Sequence, residues 1–329
     1  MRKIIRSRGL TLIIIILLLC VLITTQSSNF LTINNFVSIN RSNIVLAVCA
    51  LGLTLLVSTG NVDVSTGAQL AVISVFVGNL SKQGWANMPA LFLIAILLGI
   101  GLNLINAVLC VYTKLSAIII TMGTSNIFRG AVQLITNGSW VSGIGANVTR
   151  LWFKVGTIPF PFFVFLALLI ATWFMMTRTT FGRSIFAIGG NRVAAKRMGF
   201  NETRITLQVF TCTGILMGIA AFLMLGINAS AQPSSNTGYE MTIISAVILG
   251  GADISGGRAS VFCTSLGVLL IGVISNGMVL AGINVYFQTL VQGLIIVAAI
   301  TSDALQHRKN TRVPRIELSR TGKEASQHE

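Results

Sequence analysis

The sequence predicts an all-α polytopic membrane protein of about ten transmembrane helices, and three observations carry that expectation. Of its 329 residues 53% are hydrophobic and only 9% charged, where a soluble domain averages about 25% charged. Apolar runs recur along almost the whole chain, too continuous for the short alternating strands of a transmembrane barrel. The basic residues gather beside these runs, as in proteins oriented by the positive-inside rule.

In chain order the candidate spans are Leu10–Thr25, Ile44–Ser58, Ala68–Leu80, Ala90–Tyr112, Ser116–Ile135, Pro159–Met176, Ile205–Leu225, Met241–Leu249, Ser260–Leu280 and Val285–Ile300. Arg2, Lys3, Arg6 and Arg8 precede the first span. Arg178, Arg183, Arg192, Lys196, Arg197 and Arg204 share the loop 178–204, and Arg308, Lys309, Arg312, Arg315, Arg320 and Lys323 lie in the polar tail. With these clusters in the cytoplasm, both termini are inside, the crossings are even in number, and the near-neutral 136–157 lies outside. The expected organisation is a transmembrane domain over 1–303 and a basic cytoplasmic tail over 304–329.

The net charge of +15 raises the question of nucleic acid. The clusters flank spans and have no interleaved aromatics for base stacking, so no nucleic-acid partner is expected. The opening "MRKIIRSRGLTLIIIILLLCVLITTQ" lacks an A-x-A-like site after its apolar run and reads as an uncleaved first span. Cys20, Cys49, Cys110, Cys212 and Cys263 each fall in an apolar run, without metal-ligand spacing, and read as buried hydrophobes. No metal or cofactor is expected.

Two spans are too short. Ala68–Leu80 reaches ~20 Å and Met241–Leu249 ~14 Å, against a hydrocarbon core of ~30 Å. Each adjoins a glycine-rich break carrying one acid: "GNVDVSTG" over 60–67 and "GGADISGG" over 250–257. Aligned, they share glycine, aspartate, serine and glycine at matching places, a weak internal repeat. Short glycine-interrupted segments in two halves mark transporters with broken helices. Glycine lets the backbone leave the helix, and the freed groups must then find protein or water. Two roles stay open for Asp63, Ser65, Asp253 and Ser255: capping the next half-helix, or, with Gly67 and Gly257, lining the solute path or its gate.

The loop 178–204 reads "RTTFGRSIFAIGGNRVAAKRMGFNETR". Within it a two-turn helix is expected to start at the cap Asn191 and stop at Gly199. Its basic face serves either as an orientation signal or as a docking surface for a cytosolic partner. Asn103, Asn106, Asn126, Gln133, Asn276, Gln288 and Gln292 suit interhelical hydrogen bonds or a polyhydroxylated solute.

Missing chemistry narrows the function. No G-x-x-x-x-G-K-[ST] loop exists; "TGKEAS" in the tail lacks both the first glycine and the hydroxyl after the lysine. There is no nucleophile–His–acid set, no HExxH and no carboxylate pair on one helix face, so an enzyme is not expected. Among the acids only Asp63, Asp253 and Glu240 lie where an ion relay would. Energy then comes from a partner, or the chain is a passive channel. The alternatives are an ion-coupled secondary carrier with Asp63 and Asp253 as relays, and a scaffold that docks a partner through loop 178–204.

Four stretches, "NVDVSTG", "TMGTSNIFRG", "FGRSIFAIGGN" and "NTGYEMTIISAVILGGADISGG", occur in this order. From about Asn43 to Ile300 the chain resembles the permease subunits of bacterial carbohydrate-type ABC importers, the ribose, rhamnose and autoinducer-2 group. The resemblance implies a pore formed with a second permease subunit, identical or related. It also implies two cytosolic ATPase subunits, a periplasmic solute-binding protein, and a site in the bacterial inner membrane among its lipids. Loop 178–204 would carry the coupling helix, on Gly182, Arg183, Gly189, Gly190, Asn191, Ala194, Ala195 and Gly199. Asn61 and Val64 depart from residues common in the family's first break, and Asp253 stands where many members carry no acid.

Overall fold

The computed structural model describes residues 2–284 apart from 86, and then 286–291, 293, 294, 297 and 301. Among the described residues the chain is helical but for four two-residue strands, with one 3-10 turn at Arg150–Trp152. Its helices are α1 (Arg2–Gln26), α2 (Ile33–Ser58), α3 (Thr66–Lys82), α4 (Met88–Thr113), α5 (Ala117–Thr136), α6 (Ala146–Thr149), α7 (Phe160–Arg178), α8 (Thr180–Gly190), α9 (Arg192–Arg197), α10 (Glu202–Asn228), α11 (Tyr239–Leu249) and α12 (Val261–Leu280). Among the described residues seven helices are long and apolar enough to cross a membrane: α1 from Gly9, α2, α4, α5, α7, α10 and α12. This is a polytopic membrane architecture. The expected last span, 285–300, falls partly outside the described residues, and the tail 304–329 wholly outside them.

Two elements differ from expectation. The second helix starts at Ile33 rather than Ile44, because the Thr32 side chain accepts from the Asn35 amide at 3.2 Å and caps about three further polar turns. Hydropathy cannot register those turns, which hold four asparagines and an arginine. Loop 178–204 contains a second helix, α8. It begins where Thr179 accepts from the Gly182 amide at 3.1 Å, and it buries Ile185 and Ile188 on one face.

The core is built around α2, buried on every side from Ile44 to Ser58 and enclosed by α7, α10, α11 and α12. Beside it α10 crosses α4 at close range. A Cβ on Gly218 would lie 2.6 Å from the Ile96 Cα, and one on Gly214 2.7 Å from the Ile100 Cα. Small residues spaced i, i+4 let two backbones touch, the common device where apolar side chains gain little by leaving lipid. The outer flanks are apolar, with Leu17, Leu18, Val21 and Leu22 exposed on α1 and Phe163, Leu166, Ile170 and Phe174 on α7. Two short ribbons close one end: β1 (Val141–Ser142) pairs antiparallel with β4 (Ser230–Ala231), and β2 (Lys154–Val155) with β3 (Ile158–Pro159).

Candidate coupling junction and solute path

Helix α2 ends because Gly60 turns left-handed (φ 78°) and the amides of Thr59 and Gly60 fold back on Leu56 and Val57. The chain then runs irregularly through Asp63 before α3 begins. In this first break Asp63 Oδ1 accepts from the Ser65 amide at 2.7 Å and from the Ser65 hydroxyl at 2.6 Å. The second break repeats the turn, with Asp253 Oδ1 accepting from the Ser255 amide at 2.9 Å. Both aspartates therefore close an Asx turn of their own break. Beyond that turn the breaks diverge. Gly67 is already helical in α3, whereas Gly257 is left-handed (φ 77°) and α12 waits until Val261, after its cap Ser260.

The expected capping of α3 is not what these side chains do. Ser65 makes no side-chain cap bond. Instead Asp63 anchors a fully buried polar cluster. Gln69 Nε2 donates to Asp63 Oδ2 at 2.9 Å and to Ser65 Oγ at 2.8 Å. From α4, Asn103 Nδ2 donates to Gln69 Oε1 at 2.6 Å and Asn106 Nδ2 to Ser65 Oγ at 2.9 Å. From α5, the Thr121 hydroxyl accepts from the Val64 amide at 3.0 Å. The break thus ties α3, α4 and α5 together, and Asn103 and Asn106 bind helix to helix.

The loop 178–204 meets both breaks. The Gly257 amide donates to the Ser58 carbonyl at 3.0 Å. A Cβ on Gly256 would lie 2.7 Å from the Gly60 nitrogen and 2.9 Å from the Gly189 Cα. One on Gly257 would lie 2.8 Å from the Gly190 Cα, and one on Gly189 would overlap the Ser58 carbonyl oxygen. Glycines from three remote stretches thus pack backbone to backbone where no side chain fits. Gly182 packs as tightly on the last turn of α7, 2.6 Å from the Met175 carbonyl by the same measure.

From this junction α9 projects outward. Asn191 caps it by accepting from the Ala194 amide at 3.0 Å, and Gly199 (φ 86°) stops it, as the sequence pattern anticipates. Ala195 is its one buried residue, while Val193 and Met198 are 65% and 67% exposed. Its first residue, Arg192, donates to Asn61 of the first break at 3.4 Å and pairs with Glu202 at 3.0 Å. Arg183 lies exposed on α8. An open cleft of about 590 Å³ beside α9 is lined by Asn61, Lys114, Arg192, Lys196 and Glu202.

The structure so divides the candidate path residues. Asp63 and Ser65 lie in the buried cluster, Asp253, Ser255 and Gly257 at the junction, and Gly67 against Glu240 and the Asn236 carbonyl. Sequence reasoning missed the junction itself. Its one signal was the glycine doublets at 189–190 and 256–257, which do not reveal that they meet.

A family model described as branched-chain amino acid transport system / permease component matches residues 35–300. The chain belongs to this family. It is 32% identical over 296 residues to the ribose import permease protein RbsC of Escherichia coli, covering 88% of this chain and 92% of the relative. It is 31% identical over 297 residues to the D-allose transport system permease protein AlsC of Escherichia coli, covering 90% and 91%. It is 28% identical over 301 residues to the autoinducer 2 import system permease protein LsrC of Photorhabdus luminescens, covering 90% of each. No solved structure matches. The resemblance carried by the four sequence stretches holds across the chain, and these relatives are transport permeases rather than enzymes. Nothing in the family or the geometry favours the ion-coupled alternative.

Proposed function

We propose that this chain is the transmembrane permease subunit of an ATP-driven importer for a sugar or sugar-like solute of the ribose, allose, rhamnose or autoinducer-2 kind. The observation that carries the reading is the glycine junction. It seats Gly189 and Gly190, the last residues of α8, against both breaks through backbone contacts, and α9 follows one residue later, so a force on α9 is passed to the breaks through the main chain of α8. The protein resides in a bacterial inner membrane with both termini and loop 178–204 in the cytoplasm, as its basic clusters require. It crosses about ten times, with α3 and α11 as the short, broken spans and 285–300 as the last.

The energy source lies in partners, because the chain has no phosphate-binding loop. Two cytosolic ATPase subunits take α9 and its exposed Val193 and Met198. A second permease, identical or related, completes the pore. A periplasmic binding protein delivers the solute, and closure of the ATPase pair exchanges which side of the pore is open.

The test is purification of the tagged chain from native membranes with identification of what accompanies it. Copurification of an ATPase pair and ATP-dependent uptake by the reconstituted complex support the reading. A lone oligomer that transports without ATP would overturn it.

A further inference from the structure

We propose that the Arg129–Glu240 ion pair and the irregular segment 234–238 beside it line the water-filled path through the membrane, where they hydrogen-bond an uncharged polyhydroxylated solute. The inference rests on the permease reading and assigns the path to one face of the chain.

Arg129, on α5, straps that segment. Its Nη1 donates to the Ser235 carbonyl at 3.2 Å and the Thr237 hydroxyl at 3.0 Å, and its Nη2 to the Asn236 carbonyl at 3.1 Å. Nη2 also pairs with Glu240 Oε2 at 3.3 Å, while Glu240 Oε1 accepts from the Gly238 amide at 3.2 Å. The charged side chains keep 15% and 12% of their surface exposed.

The cluster lies deep. Gly67 packs against Arg129 and Glu240, about 21 Å along α3, at 1.5 Å per residue, from Ser81. The Ser81 hydroxyl accepts from Gly145 in the connection between α5 and α7, which marks that end of α3. In the other direction Thr121, which holds the first break, is about 12 Å back along α5. Segment 234–238 is not helical at this depth; Asn236 (φ 62°) and Gly238 (φ 83°) are left-handed, and Ser234, Thr237 and Gly238 are exposed.

Hydrocarbon does not tolerate such a surface. Irregular backbone at membrane depth persists only inside protein or along water, and a charged pair facing lipid is costly. The adjoining face of α5 agrees. Among the exposed apolar Ile119, Met122 and Ile127 it presents Asn126 and Gln133, and Gly123 and Gly130 open onto empty space. The exposed face of α7, by contrast, is aromatic and aliphatic from Phe163 to Phe174. The pairing also defines the solute class. Arginine and glutamate cancel in charge, so no net field traps a passing ion, yet donors and acceptors stand side by side as neighbouring hydroxyls require.

The test is the water accessibility of single introduced cysteines in the reconstituted complex. Thr237→Cys and Asn126→Cys are compared with the lipid-facing Ile170→Cys, using a membrane-impermeant methanethiosulfonate reagent on opened membranes and subtracting the parent protein's own labelling. Because only a hydrated thiol ionises to the reactive thiolate, both path cysteines should react at least ~10-fold faster than the control. Rates no faster than Ile170→Cys overturn the proposal. So does spontaneous disulfide formation between copies in place of labelling, which would make this face a dry subunit contact. Failure of the labelling with the ATPase still copurifying overturns the path alone; wet cysteines without a copurifying ATPase overturn the importer reading instead.

Discussion

The Gly257 amide donates to the Ser58 carbonyl at 3.0 Å, so the second break is hydrogen-bonded to the last turn of the buried helix that precedes the first. Gly189 wedges into the same contact, closer to the Ser58 oxygen than any Cβ can come. On the coupling role proposed for α9, its movement passes through this contact.

Neighbouring glycines therefore differ sharply in what they tolerate. Gly189→Ala forces backbones apart at the junction and should cost about 1–3 kcal/mol, the usual penalty of overpacking, with loss of most uptake. Gly190→Ala places its Cβ in open space and should stay within ~0.5 kcal/mol of the parent. Thermal unfolding of the purified variants, with uptake in reconstituted vesicles, makes the comparison. Equal behaviour of the two would remove the junction from the mechanism.

Asp63 receives three donors in a site without water access. Asp63→Ala strands them and should cost roughly 3 kcal/mol or more, at about 1–3 kcal/mol per unsatisfied buried group. Asp63→Asn is milder for a specific reason. The new amide faces Gln69 Nε2, but Gln69 and Asn103 can both flip, since Asn103 Oδ1 has no partner of its own. A loss of about 1–2 kcal/mol is expected, roughly one buried hydrogen bond. An Asn variant as unstable as the Ala variant would show that the carboxylate charge itself is needed.

On α9 the exposed and buried sides should separate coupling from folding. Val193→Asp and Met198→Asp alter exposed apolar residues and should leave the melting temperature unchanged while lowering ATP-driven uptake. Ala195→Glu buries an unpaired carboxylate and should lower both. Uptake that survives Val193→Asp combined with Met198→Asp would exclude this surface as the ATPase contact.

At the α4–α10 crossing, Gly218→Ala sets a Cβ 2.6 Å from the Ile96 Cα. The helices must separate, at about 1–3 kcal/mol. A lower midpoint of unfolding in detergent, without any change in the ATP requirement of the remaining uptake, is the expected signature.

The sequence by itself determined the class of the protein. Long apolar runs and basic clusters beside them have one stable arrangement in a bilayer, because every buried backbone group must be satisfied within its own helix. It also determined the local punctuation. Asn191 capping α9, Gly199 ending it, and the two Asp-Ser turns follow from short-range hydrogen bonds among residues adjacent in the chain. Only the tertiary structure decided which of these features touch. The meeting of Gly60, Gly189 and Gly256, the enclosure of Asp63 by Asn103 and Asn106, and the pairing of Arg129 with Glu240 join residues tens to hundreds of positions apart. A glycine's near-absence of a side chain carries no address, and an asparagine in an apolar run reads the same whether it binds a helix or a solute. Packing alone supplies the partner.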